Sequence, residues 1–223
     1  MPAKKFSWSW SRLKNFRSCP KRHWHLDINK DIKDPESDDI RWGKVFHEAM
    51  AARIQGKPLP QSLAHYDKLP ALISNYMADV ECEMALNSEF KPTGWFASDT
   101  WLRAKVDVLM IHPAKHMALA LDWKTGKMNG GDYEQLAITA QMIFSTYQEV
   151  DIVRTAYVWS KYDDDTKEVF RREDMIPLWA KLLPEVKQME KAAEHMDYPP
   201  KPSGLCVRFC PVTSCPYHGK GTR

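Results

Sequence analysis

Asp122 and Lys124 stand two residues apart at the end of an apolar run, Met117-Ala118-Leu119-Ala120-Leu121, and Asp107 precedes Asp122 by fifteen residues. In a strand, residues i and i+2 point to one face. Asp122 and Lys124 are therefore expected to project together, beside an Asp carried by a neighbouring strand. Two carboxylates and an ammonium on one patch of sheet make a hard-cation site with a fixed positive charge next to it. Such a site suits hydrolysis of a phosphodiester. Magnesium takes oxygen ligands and keeps several waters, so Asp107, Asp122 and the backbone carbonyl of Trp123 are the expected donors. A bound metal polarises a phosphoryl oxygen and activates a water. Lys124 is placed to orient that water or to offset charge in the transition state.

Two further residues bear on this site. Gly43-Lys44-Val45-Phe46-His47-Glu48 lies in a helical pattern, with Gly43 and His47 on one face. Gly43 would allow a close approach of another backbone or of a substrate. His47 is a candidate metal ligand or phosphate contact, or else a half-buried histidine of an amphipathic helix. Gln135, early in a later helix, could orient Lys124 or donate to a nucleic-acid backbone; otherwise it is a solvent-facing helix residue.

The elements that must hold these groups follow from periodicity. Ser9 or Ser11 caps a short helix that Cys19-Pro20 breaks. Residues 31–39 read as a loop, 40–55 as a helix and 61–88 as largely helical. Residues 100–111 and 116–124 read as a hairpin about His112-Pro113-Ala114-Lys115. Gly126 to Gly131 is a loop, and 132–148 a helix. Asp151 to Ser160 and Glu168 to Arg171 are strands about Asp163-Asp164-Asp165. Residues 173–196 are a helix, with a kink or boundary expected at Pro184. The order is that of a mixed α/β chain, a mixed sheet flanked by helices. One domain is expected, with a mainly helical part to residue 92, a core at 93–198 and a tail at 199–223.

Charge is nearly balanced, +3 for 223 residues, which permits nucleic-acid binding without arguing for it. The local distribution says more. Arg12, Arg17, Lys21, Arg22 and Trp24 mix cations and aromatics near the N-terminus, a combination suited to phosphate contacts and base stacking. The bland alternative is a solvated helix with an aromatic core face. No apolar run is long enough to span a bilayer, and no apolar segment follows the N-terminal lysines as in a secretory signal. A cytoplasmic location is expected by default, the host cytoplasm if the chain is phage-encoded. Cysteines crowd at Cys206, Cys210 and Cys215, which suggests a metal or cluster site. Cys82 reads as a small buried hydrophobe on a helix.

Taken in order, the Gly-x3-His-Glu at 43–48, Asp107, Asp122-x-Lys124 and Gln135 resemble the RecB-type branch of the PD-(D/E)xK nuclease superfamily. The opening Ser9-x-Ser11-Arg12-Leu13-x2-Phe16-x2-Cys19-Pro20 is similar to that of its iron–sulfur exonucleases, the CRISPR-associated enzymes and the AddB nuclease domain. The resemblance implies a restriction-endonuclease-like core and a Mg²⁺- or Mn²⁺-dependent deoxyribonuclease. His47, Asp107 and Asp122 would then be metal ligands, Lys124 the catalytic lysine, and Gln135 the Gln of a Gln-x3-Tyr motif. Thr139 stands where that Tyr would be. The resemblance also implies a 4Fe–4S cluster on Cys19, Cys206, Cys210 and Cys215, stapling the tail to the Cys19 region. The spacing Cys-x3-Cys-x4-Cys departs from the usual Cys-x2-Cys-x5-Cys. A structural Zn²⁺ on Cys206, Cys210, Cys215 and His218 is therefore the alternative.

The expectation is an exonuclease acting on DNA single strands or duplex ends, with endonuclease activity not excluded. Its setting would be recombination and repair, phage DNA metabolism or CRISPR adaptation. A second reading is a trimming nuclease in a larger assembly with a helicase, integrase or annealing partner, which the sequence does not separate from a freestanding nuclease; no Gly-x4-Gly-Lys-Ser/Thr motor motif is present. The competing expectation is a non-catalytic DNA-binding module stapled by zinc.

Overall fold

The computed structural model describes residues 6–128 and 131–220. The expected loop Gly126–Gly131 thus lies partly outside the described residues. Two compact units divide the chain, Ser37–Leu178 and the pair of segments Met1–Glu36 and Trp179–Arg223.

The unit Ser37–Leu178 is built on a five-stranded mixed sheet: β1 (Asp79–Leu86), β2 (Leu102–His112), β3 (Met117–Lys124), β4 (Ile152–Trp159) and β5 (Asp164–Arg171), in that spatial order. Neighbours run antiparallel except β3 and β4, which are parallel. That parallel step needs a crossover, supplied by helix α5 (Tyr133–Thr146). Helices α3 (Asp38–Ile54) and α4 (Lys68–Ile73) precede the sheet. Ser37 caps α3 by accepting from the Ile40 N–H, with Asp38 and Asp39 in the first turn, where acidic groups favour the helix dipole. On one face of the sheet, Phe46, Met50 and Ile54 of α3 and Ile73 of α4 bury against Val108, Leu121 and Trp123. Asp122 and Lys124 alternate to the other face, where Gln135 of α5 meets them.

The other unit holds α1 (Trp10–Ser18), α2 (Pro20–His23), a π-helical stretch (Trp24–Asn29), most of α6 (Met175–His195) and α7 (Leu205–Arg208). Ser9 caps α1, and Trp8 meets Trp179 edge to face, with ring centroids 6.1 Å apart. Leu13, Leu182, Val186 and Met189 are buried in this unit. Lys201 N–H donates to Cys19 Sγ, and its ammonium donates to the Arg17 carbonyl.

Four expectations need correction. The stretch 61–88 is not largely helical: a 3-10 turn (Gln61–Tyr66) and short α4 give way to strand β1. Its Glu, Met, Ala and Leu are good helix formers, but pairing with β2 overrides that preference. Cys82 accordingly sits half-buried on β1 rather than buried on a helix. The helix expected over 173–196 forms as α6 and runs through Pro184, which removes only the boundary from the kink or boundary expected there. The return strand β5 begins at Asp164 and pairs with β4 along its whole length, starting after a left-handed Asp163.

Candidate active site

The ladder between β2 and β3 runs from His112↔Met117 to Val108↔Leu121 and stops there, although both strands continue. Beyond that point the strands part. The Asp107 carboxylate fills the opening, its Oδ2 accepting the Trp123 N–H at 2.8 Å. A buried N–H that loses its ladder partner must find another, and Asp107 supplies it. In an extended strand a residue's N–H and C=O point to the same side, so the Trp123 carbonyl is directed toward Asp107 as well.

His47 reaches the same carboxylate from α3, its Nδ1 lying 3.2 Å from Asp107 Oδ2. Gly43, one turn earlier, explains the approach of the helix. A Cβ there would lie 3.2 Å from Thr125 Oγ1, tighter than most real contacts, so a larger residue would require α3 or the Thr125 side chain to give way. Burial disfavours a charged imidazole, but the hydrogen bond to Asp107 and the charges of Asp107, Asp122 and Glu81 outweigh it and raise the His47 pKa.

Glu81 was not anticipated. It lies on β1 across from Asp107, in a gap in the register between Val80↔Val108 and Cys82↔Val106. Its φ of 54° is left-handed, a costly conformation for a residue with a Cβ and unusual inside a strand. One ligand atom each from His47, Glu81 and Asp107 lie within 4.8 Å of one another, the only such group of His, Cys, Asp or Glu found among the described residues. Lys105 pairs with Glu81 at 2.5 Å. Alternation of Val80, Cys82, Met84 and Leu86 is the sequence signal that would have revealed β1 and, with it, Glu81.

Asp122 and Lys124 form an ion pair at 2.6 Å, both mostly sequestered. Gln135 Nε2 donates to Asp122 Oδ1 at 2.8 Å, and Lys124 Nζ is 3.4 Å from Gln135 Oε1. Asp122 Oδ2 is buried, and it is the oxygen that faces the Lys124 ammonium. Desolvation dominates its acidity. Lys124 pulls the pKa down and Asp107 pushes it up, leaving it at about 6. Expected residues Asp107, His47, Asp122, Lys124 and Gln135 thus lie in one connected site. Thr139 turns its hydroxyl back to the Gln135 carbonyl.

The donor set fits a divalent cation. Oxygen and imidazole ligands converge at His47, Glu81 and Asp107, and beside them lies the buried Asp122 carboxylate, held by Lys124 and Gln135.

A sequence model of the PD-(D/E)XK nuclease superfamily matches residues 7–217. The chain belongs to the PD-(D/E)XK nuclease superfamily. Its mixed sheet flanked by helices is the restriction-endonuclease-like fold of these nucleases. A solved structure from Eubacterium rectale, of a protein provisionally named an exonuclease, shares this fold at a TM-score of 0.56 and 13% identity, covering 99% of this chain and 90% of its own. A structure named SSO0001 aligns at a TM-score of 0.49 and 11% identity, over 96% of this chain and 87% of its own. No protein of curated function matches.

The N-terminal cations expected to bind substrate lie in the other unit and are engaged there. Arg17 makes a bidentate pair with Glu185 and sits over the Trp10 ring. Arg22 donates to Asn15 and Asp34, and Arg12 to the Ser7 carbonyl. Trp24 meets the His25 ring edge-on. Lys21 lines the same cavity as Cys19, Cys206, Cys210, Cys215 and His218. The Ser203 N–H donates to Cys206 Sγ as Lys201 does to Cys19. No helix among the described residues is long and apolar enough to cross a membrane.

Proposed function

We propose that this nuclease is a metal-dependent DNA exonuclease that hydrolyses phosphodiester bonds on single strands or at duplex ends. The observation that carries the reading is the convergence of His47, Glu81 and Asp107 next to the Asp122–Lys124 ion pair. These residues would hold Mg²⁺ or Mn²⁺ with help from Asp122 and the Trp123 carbonyl. A divalent ion bound there supplies Lewis-acid polarisation of a phosphoryl oxygen and a more acidic water. The chain's own groups do the rest. Lys124 keeps a positive charge beside the scissile phosphate, where its N–H donors meet charge that grows in the transition state. Asp122 fixes Lys124, and Gln135 fixes Asp122. Burial of Asp122 strengthens both interactions by excluding water.

A thiolate-bound group in the other unit is part of this reading. Cys19, Cys206, Cys210 and Cys215 share a cavity and two of their sulfurs accept backbone N–H donors. Zn–S bonds near 2.3 Å would hold tetrahedral sulfurs about 3.8 Å apart. No three of these cysteines and His218 offer ligand atoms within 4.8 Å of one another. A 4Fe–4S cluster is preferred to a single zinc ion because Cys19-Pro20 stands in the N-terminal context that the resemblance implies. The setting would be cytoplasmic DNA recombination or repair, phage DNA metabolism or CRISPR adaptation, with a helicase, integrase or annealing partner.

The test is incubation of end-labelled DNA oligonucleotides with Mg²⁺ or Mn²⁺. The expected result is shortening from an end, abolished by chelation. DNA binding without metal-dependent cleavage would instead identify a non-catalytic binding module.

A further inference from the structure

Tyr157 of β4 is fully buried and is the register partner of Asp122 on β3, so its side chain shares the face that carries Asp122 and Lys124. Its hydroxyl lies 3.0 Å from Gln135 Oε1 and 2.9 Å from the Asp132 carbonyl, two acceptors within reach of one proton. Its ring lies beneath Lys124, with Nζ 4.5 Å from the centroid. Gly131 lies against this ring. It has a φ of 75°, and a Cβ there would fall 2.4 Å from the ring edge.

A glutamine amide can present either end to a neighbour. Only the NH₂ end is useful toward the Asp122 carboxylate, and something must hold the oxygen end away from it. The Tyr157 hydroxyl does this if it remains a donor. A phenol keeps its proton at neutral pH, and both oxygens within reach of this one are acceptors. We propose that Tyr157 is a positioning residue of the nuclease site: its hydroxyl locks the Gln135 amide so that it donates to Asp122, and its ring seats the Lys124 ammonium. This deepens the nuclease reading and rests on it.

The experiment uses the full chain, an end-labelled oligonucleotide and Mn²⁺. Tyr157→Phe keeps the ring and removes only the hydroxyl. It is expected to lower kcat about five- to tenfold, as for one lost hydrogen bond, with KM unchanged and the thermal midpoint held within about 4 °C. Gln135→Leu should give a similar or larger kcat loss. Because the hydroxyl acts through Gln135, the double variant should be no slower than Gln135→Leu alone. Full kcat in Tyr157→Phe, or losses that multiply in the double variant, would overturn the proposal while leaving the nuclease reading intact. Should Tyr157→Phe melt below the assay temperature, Gln135→Leu decides alone: a kcat-only loss supports the lock and a KM-only loss overturns it. No cleavage by the unsubstituted protein would remove the nuclease reading and this proposal with it.

Discussion

Three carboxylates, Glu81, Asp107 and Asp122, face three cationic groups, Lys105, Lys124 and His47, at one end of the β2–β3 pair. The balance requires a proton on His47, whose pKa is raised for that reason. Asp122, held at about 6, leans the same way. For both groups the folded pKa exceeds the unfolded value. Their stabilising contribution is complete below the unfolded value, near 4 for Asp and 6.5 for His. It is lost as pH rises through the folded value. The metal-free protein is therefore expected to melt at a lower temperature at pH 8 than at pH 5, and Asp122→Asn should flatten the part of that fall below about pH 6. Mn²⁺ should restore the midpoint at pH 8 and do less at pH 5, where protons compete for the ligands. Thermal melts at the two pH values, with and without the ion, measure this. A midpoint independent of pH would contradict the charge balance.

Secondary-structure elements set the site through two departures from regularity: the parting of β2 from β3 and the left-handed Glu81 on β1. The strain at Glu81 predicts that Glu81→Gly costs less stability than Glu83→Gly two residues along. Glycine relieves a left-handed position by about 1 kcal/mol, whereas at Glu83 it only loses about that much. The same Glu81→Gly protein should bind Mn²⁺ more weakly, read by calorimetric titration. Equal destabilisation by the two substitutions would contradict the strain. At the helix, Gly43→Val crowds Thr125 and is expected to shift α3, and with it His47, relative to Asp107. A loss of cleavage of at least about tenfold is expected, with full activity as the contradicting outcome. The hairpin carrying Asp107 and the Asp122-x-Lys124 end was legible because β-branched and aliphatic residues alternate along it. The α5 helix was legible from its 3.6-residue apolar stripe. Strand β1 was not, since helix-forming residue types hide its period of two. Glu81 and Tyr157 were missed for a related reason: each acquires its role only from the neighbour that strand register brings to it.

At the scale of the molecule, the chain concentrates its acid and lysine chemistry in the unit Ser37–Leu178 and four of its cysteines in the other. The second unit draws on both ends of the sequence, and a group bound by Cys19 and the three tail cysteines would join those ends covalently. Protein purified without air is expected to be brown and to lose iron and colour together in Cys19→Ala. Colourless protein with one bound zinc would favour the mononuclear alternative. The central claim concerns the first unit: Asp107, Glu81 and His47 hold a divalent ion where Asp122 and Lys124 complete phosphodiester hydrolysis. Its most direct test compares wild type, Asp107→Ala and Lys124→Ala on an end-labelled DNA strand with Mn²⁺, after melts show all three folded. The account predicts ion-dependent cleavage by wild type and a loss of about a thousandfold in each variant; cleavage that persists in either would contradict it.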